Sequence, residues 1–165
     1  SPLAAPHCAW IEVRRAAIGE ENARLLERAV AWLLAALERI GEARDKYGLI
    51  HADLHFGNFL VQDNQVSVID FDQLGWGHYG YDLAVLKVEL RSELGDCAEQ
   101  WDSLVAGYQQ IAPLPFADDR ELGVFEVAVH LAFLDWVYNS PNPAVREQMG
   151  PRLPATFAAS GEWVG

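Results

Sequence analysis

One stretch constrains this chain more than any other: His51-Ala52-Asp53-Leu54-His55-Phe56-Gly57-Asn58. A short apolar run, Leu49-Ile50, leads into it, and another, Phe59-Leu60-Val61, follows. Polar residues caught between two strand-like pieces belong on a tight loop. The second apolar run breaks at Asp63-Asn64-Gln65, where Asn64 tolerates a positive φ. The chain then returns through Val66-Ser67-Val68-Ile69 to Asp70, Phe71 and Asp72. Leu49 to Asp72 therefore reads as β: a strand, a polar loop and a hairpin.

Helices surround this insert. From Gly19 to Arg44, Leu26, Val30, Leu33, Leu34, Leu37 and Ile40 recur at three- and four-residue steps. Glu20 and Glu21 suit the start of that helix; Gly41, Arg44 and Lys46 suit its end. Further helices are expected over Tyr81 to Leu94, Ala98 to Ile111 and Asp118 to Tyr138, the last capped by Asp118 or Asp119. Ser1 to Arg15 reads as a lead-in, Gln73 to Gly80 as a Gly-rich loop, and the Pro-bearing tail from Asn139 as irregular. The expected class is α+β, mainly helical, with a small β-hairpin insert.

Composition narrows the partners. The 165 residues suffice for one compact domain. A formal charge of −12 disfavours nucleic acid and anionic membranes as partners. Two cysteines, Cys8 and Cys97, make no disulfide framework and suit a reduced, cytoplasmic setting. The start lacks the basic and apolar regions of a secretory signal. The longest apolar run, Ala29 to Leu37, is too short for a bilayer.

Taken singly, the polar residues have plain readings. Asp53 can satisfy backbone N–H groups of its own loop. Asn58 can be a turn residue and Asp70 a strand-end cap, while Asp82, in Gly80-Tyr81-Asp82-Leu83, can cap its own helix. Asp72 can lend its charge to Asp70 and its neighbours or simply face water. His51-x-Asp53-x-His55, if extended, would put three ligands on one face and suit a metal-dependent hydrolase. That reading leaves Asn58 and Asp70 unexplained. Gly75-Trp76-Gly77-His78-Tyr79-Gly80 matches a dinucleotide fingerprint. Asp70 to Leu74 separate it from the strand, however, and Trp76 and Tyr79 crowd it, so pyrophosphate has no close backbone to approach.

Taken together, His51-x-Asp53-x-x-x-x-Asn58, a hairpin and then Asp70 resemble the aminoglycoside phosphotransferase and choline kinase family, whose fold is a variant of the protein-kinase fold. The match is strong from Leu49 to Leu83. It implies a kinase-like C-terminal lobe across residues 1–165 and the transfer of the γ-phosphoryl group of ATP to a small hydroxyl-bearing acceptor. The resemblance makes Asp53 the catalytic base and puts Asn58 and Asp70 on Mg²⁺, which prefers hard oxygen ligands. It makes His51 a structural support of the loop and Asp82 a brace on its backbone N–H groups. His55 stands where protein kinases often carry Lys, open to contact phosphate or to cap the loop.

A kinase site also needs a strand Lys and a phosphate-covering hairpin ahead of the catalytic loop. Neither is present, and the two lysines, Lys46 and Lys87, stand elsewhere. The expectation is a fragment without its N-terminal, ATP-clamping lobe, inactive alone, with an exposed apolar face that the lobe or a partner covers. The alternative is a non-catalytic, pseudokinase-like interaction module. In the family, acceptor choice comes from the later helices, which makes Glu126, His130, Asp135 and Trp136 candidates for it.

Overall fold

The computed structural model describes residues 9–145. In chain order the elements are α1 (Ala9–Ile18), α2 (Glu20–Ile40), β1 (Tyr47–Ile50), β2 (Phe59–Gln62), β3 (Gln65–Val68), β4 (Gly75–His78), α3 (Tyr79–Leu94), α4 (Ala98–Gln109) and α5 (Asp119–Asn139). Chain contacts divide into two compact units. One is Gly41–Glu126; the other comprises residues 9–40 and 127–145.

Among the described residues, the Gly41–Glu126 unit carries all the β structure, as two separate two-stranded antiparallel sheets. In the expected hairpin β2 pairs with β3, Phe59 opposite Val68 and Gln62 opposite Gln65. Asp63 (φ 49) and Asn64 (φ 63) both take left-handed backbone at the turn. A two-residue turn with both φ values positive matches the twist of the flanking strands. The second sheet departs from expectation. Gly75-Trp76-Gly77-His78, read as loop, is β4, and it pairs with β1 from Tyr47↔His78 to Ile50↔Gly75. Glycine in a strand packs nothing of its own and argues against β from sequence. Here the buried Ile50 side chain occupies the space over Gly77.

The core of this unit is Leu83, Ala84, Leu86 and Leu90 of α3 with Leu122 and Phe125 of α5, the last two fully buried. Asp118 caps α5 by accepting the Glu121 N–H at 2.9 Å. Lys46 Nζ meets Glu121 Oε1 at 2.7 Å. Glu126, buried on α5, takes Arg91 Nη1 at 2.9 Å and Lys87 Nζ at 3.4 Å. The Lys87 ammonium also lies 5.0 Å from the Trp101 ring centre. Both lysines of the chain are thereby engaged in ion pairs.

In the second unit, α1 occupies part of what reads as lead-in. Trp10 stacks on Tyr138 at 5.3 Å. Arg15 pairs with Glu12 of its own helix (2.9 Å) and joins α1 to α2 through Glu20 (3.3 Å) and Glu27. These acids, Glu12 first, raise its already high pKa. The buried stripe of α2 is Ala23, Leu26, Ala29, Leu33 and Ala36, so alanines carry much of it while Leu34 faces outward. Periodicity weighted toward large residues places that stripe too far round the helix. Among the described residues, no helix is long and apolar enough to cross a membrane.

Candidate active site

His51, Asp53, Asn58, Asp70 and Asp82 all lie within the Gly41–Glu126 unit; of the residues considered for acceptor choice only Glu126 does. The loop after β1 is held from α3. The Asp82 carboxylate, in the first turn of α3, accepts the His51 N–H at 2.8 Å and the Ala52 N–H at 2.9 Å. Ala52 has φ 66, a left-handed conformation that turns two successive N–H groups toward one carboxylate. Burial pushes the Asp82 carboxyl above its ordinary range, and the two N–H donors pull it partly back. Lower in the loop, Glu89 accepts the Phe56 N–H. Glu89 follows Asp82 by two helical turns, on the same side of α3. The i,i+7 spacing was visible in the sequence, but nothing there tied Glu89 to a loop.

The loop also folds on itself. The His55 N–H bonds to the Asp53 carbonyl and the Asn58 N–H to the His55 carbonyl, each at 2.9 Å, closing a 3₁₀ turn over Phe56–Asn58. Asn58 is buried, and its Nδ2 donates to the Asp53 carbonyl at 2.8 Å. That bond fixes which end of the amide faces inward. No hydrogen bond among the described residues consumes Asn58 Oδ1. The Asp53 side chain is 47% exposed, with Oδ2 3.5 Å from Asn58 Nδ2 and 3.7 Å from His55 Nε2.

Ile69 ties the loop to the hairpin. Its N–H donates to the Asn58 carbonyl at 2.9 Å, continuing the β2–β3 ladder. Its carbonyl accepts from His51 Nε2 at 3.0 Å. His51 is buried against Phe71, ring centres 4.9 Å apart. Asp70 comes next, at φ 63 and ψ 67, and starts a second 3₁₀ turn over Phe71–Gln73. Its side chain makes no cap to that turn and stays exposed. Asp72, also exposed, lies within the turn. The fold thus brings Asp53 and Asn58 into contact and sets Asp70 immediately beyond the residue to which both His51 and Asn58 bond.

The donor set that remains, an amide carbonyl and an exposed carboxylate, is hard oxygen and suits Mg²⁺ with substrate phosphates. The three ligands of His51-x-Asp53-x-His55 are not brought to one face. His51 turns inward to Ile69, and no group of three His, Cys, Asp or Glu among the described residues could hold a metal. Beside the loop lies a cleft of about 360 Å³, bounded by Leu54, Leu83, Leu86 and Leu104 with Tyr79, Tyr108 and Asp82. Burial raises the pKa of Tyr108, helped by Tyr79 and Asp82. Of the residues considered for acceptor choice, Glu126 is committed to Arg91 and Lys87. Asp135 accepts from Asn139 at 2.7 Å, and Trp136 is 57% exposed beside Phe133. His130 is half-buried.

Residues 3–121 match the model of the phosphotransferase enzyme family. The chain is 33% identical to the amicoumacin kinase of Bacillus subtilis over 42% of its own length and 20% of that protein. It is 32% identical to the homoserine kinase of Gluconacetobacter diazotrophicus, over 81% of this chain and 42% of that protein. Among solved structures, the microcompartment-associated aminopropanol kinase superposes with a TM-score of 0.72 at 31% identity, covering 88% of this chain and 46% of that one. In each case the match spans less than half of the relative's own length. The structural neighbour is kinase-like, and the mainly helical architecture with small antiparallel sheets accords with it.

Proposed function

The chain belongs to the phosphotransferase enzyme family, and from that premise we propose that it is the catalytic-loop lobe of an ATP- and Mg²⁺-dependent small-molecule kinase. Asp53 orients the acceptor hydroxyl and takes its proton as the new O–P bond forms and the bond from the γ-phosphorus to the bridging oxygen of ADP breaks. Asn58 Oδ1 and the Asp70 carboxylate hold Mg²⁺, which when bound supplies positive charge against the phosphates. His51 and Asp82 keep the loop in shape.

The observation that carries this reading is the Asn58 amide. One of its Nδ2 hydrogens goes to the Asp53 carbonyl, which turns the amide so that Oδ1, free of any hydrogen bond among the described residues, is available as a hard-oxygen donor near Asp53. The ATP-clamping lobe is proposed to lie outside this chain. Three features support that: the greater length of the relatives, the engagement of both lysines in ion pairs, and the exposed Leu60, Val61, Val66, Phe71 and Trp76 of the β region. The acceptor is proposed to be a small amino alcohol. Aminopropanol and homoserine in the relatives' names both carry an amine and a hydroxyl, and the net charge of −12 suits the ammonium group that the two share.

The test is phosphorus NMR of the full-length protein with Mg²⁺-ATP and a panel of amino alcohols. A new phosphomonoester resonance with stoichiometric ADP is expected. Binding of ATP without transfer to any acceptor would favour the non-catalytic module.

A further inference from the structure

Nothing in the proposed chemistry uses His55, yet the loop is built around its ring. Nδ1 accepts the Gly57 N–H at 3.1 Å, so the neutral imidazole carries its proton on Nε2. That nitrogen faces Asp53 Oδ2 at 3.7 Å. The ring also fills the place of a side chain at Gly57: a Cβ there would lie 2.7 Å from Cε1 and 3.0 Å from Nδ1. Gly57 is thus what lets the imidazole lie flat against the turn. On its other side, Asp53 Oδ2 is 3.5 Å from Asn58 Nδ2. Two N–H donors therefore approach one carboxylate oxygen, and no hydrogen bond among the described residues uses the other.

We propose that His55 is a positioning residue that, with Asn58, holds Oδ2 of Asp53 and so leaves Oδ1 as the atom that takes the acceptor proton. The inference rests on the kinase reading above and deepens it. Both contacts to Oδ2 are longer than a hydrogen bond. They close by a small rotation of the carboxylate when the acceptor is bound, as catalytic hydrogen bonds tighten from their unliganded geometry. A freely rotating carboxylate would spend part of its time with neither oxygen on the hydroxyl, which lowers turnover without touching nucleotide affinity.

Three variants of the full-length protein test this beside Asp53→Asn. His55→Ala removes both contacts of the ring. His55→Asn keeps an acceptor for the Gly57 N–H, as an Asx turn does, but cannot reach Asp53. Gly57→Ala keeps the imidazole and displaces it. The expected result is a fall in kcat on the order of 10- to 100-fold for all three, with the KM for Mg²⁺-ATP nearly unchanged and the melting temperature of His55→Asn near the parent's. Full rescue by His55→Asn would reduce His55 to a loop cap and overturn the proposal. So would a raised KM for Mg²⁺-ATP with kcat intact, which would place the ring on phosphate. Parental turnover in Asp53→Asn would overturn the kinase reading itself, separately from the role of His55.

Discussion

Asp82 accepts the backbone N–H of His51 across 31 residues of sequence, at 2.8 Å, and the second oxygen of its carboxylate takes the neighbouring Ala52 N–H. One side chain on the first turn of α3 thereby sets the direction in which the chain enters the loop that carries Asp53. Asn supplies one acceptor where two donors converge, so its amide N–H₂ meets a backbone N–H. Asp82→Asn is expected to cost about 1–3 kcal/mol, the range for leaving a buried donor unpaired. Chemical denaturation measures it; an unchanged midpoint would mean that the brace contributes nothing.

The same carboxylate sets a pH dependence. Burial raises the folded-state pKa of Asp82 above the ordinary value of 3.8. A carboxyl with a raised folded pKa contributes stability below its unfolded pKa, and loses it as pH rises through the folded value. The stability gap between parent and Asp82→Asn is therefore expected to be widest at the acid end and to narrow upward through that window. Denaturant midpoints of both proteins across that range check the sign. A gap that widens with pH would show that the two N–H donors outweigh burial.

Ala52 holds φ 66 where the chain enters the loop that carries Asp53. Left-handed backbone costs an L-residue about 1–2 kcal/mol, and glycine's extra unfolded freedom offsets about 0.5–1 of that. Ala52→Gly is expected to stabilise the chain by up to about 1 kcal/mol with the loop geometry unchanged. Thermal unfolding reads the effect; a loss of stability would mean that the Ala52 methyl packs usefully.

Why the loop was legible in the sequence and its surroundings only partly so has a physical basis. His51, Asp53 and Asn58 lie on the loop that leads into one hairpin and Asp70 lies just past its end, and local spacing fixes local geometry. The Asp63-Asn64 turn follows from residues that tolerate positive φ. β4 was not legible, because Trp76 and the two glycines show no alternation; its pairing with β1 is a property of Ile50 lying over Gly77. The buried face of α2 was misplaced because alanines bury as well as leucines but carry little weight in a hydrophobic pattern. Glu126 read as a binding residue because its partners, Lys87 and Arg91, stand on a different helix. Long-range pairing of this kind leaves no local mark.

The isolated chain is expected to bind Mg²⁺-ATP weakly or not at all, since the reading above assigns the phosphate-covering elements to sequence outside it. Titration calorimetry decides this. Micromolar affinity would mean that the loop and hairpin assemble a nucleotide site unaided.

Asp53 and Asp70 differ in what they touch, and the difference is measurable in the full-length protein. Asp70 leaves the hairpin with its carboxylate uncommitted, while Asp53 lies on the loop with Oδ2 near Asn58 and His55. On the proposed roles, Asp70→Asn weakens the hold on the metal. It is expected to remove most turnover and to raise the Kd for Mg²⁺-ATP, because metal charge stabilisation is worth several kcal/mol. On the same proposed roles, Asp53→Asn removes the proton acceptor and leaves the metal ligands in place. It is expected to cut kcat on the order of 10²–10⁴-fold, the range for a general base, with nucleotide affinity nearly intact. Turnover and Mg²⁺-ATP affinity of the two variants, each measured beside the parent, separate the roles. If Asp53→Asn abolished nucleotide binding while Asp70→Asn spared it, base and metal ligand would be exchanged. If both kept full turnover, the chemistry would lie outside this loop and only the fold would be shared with the kinases.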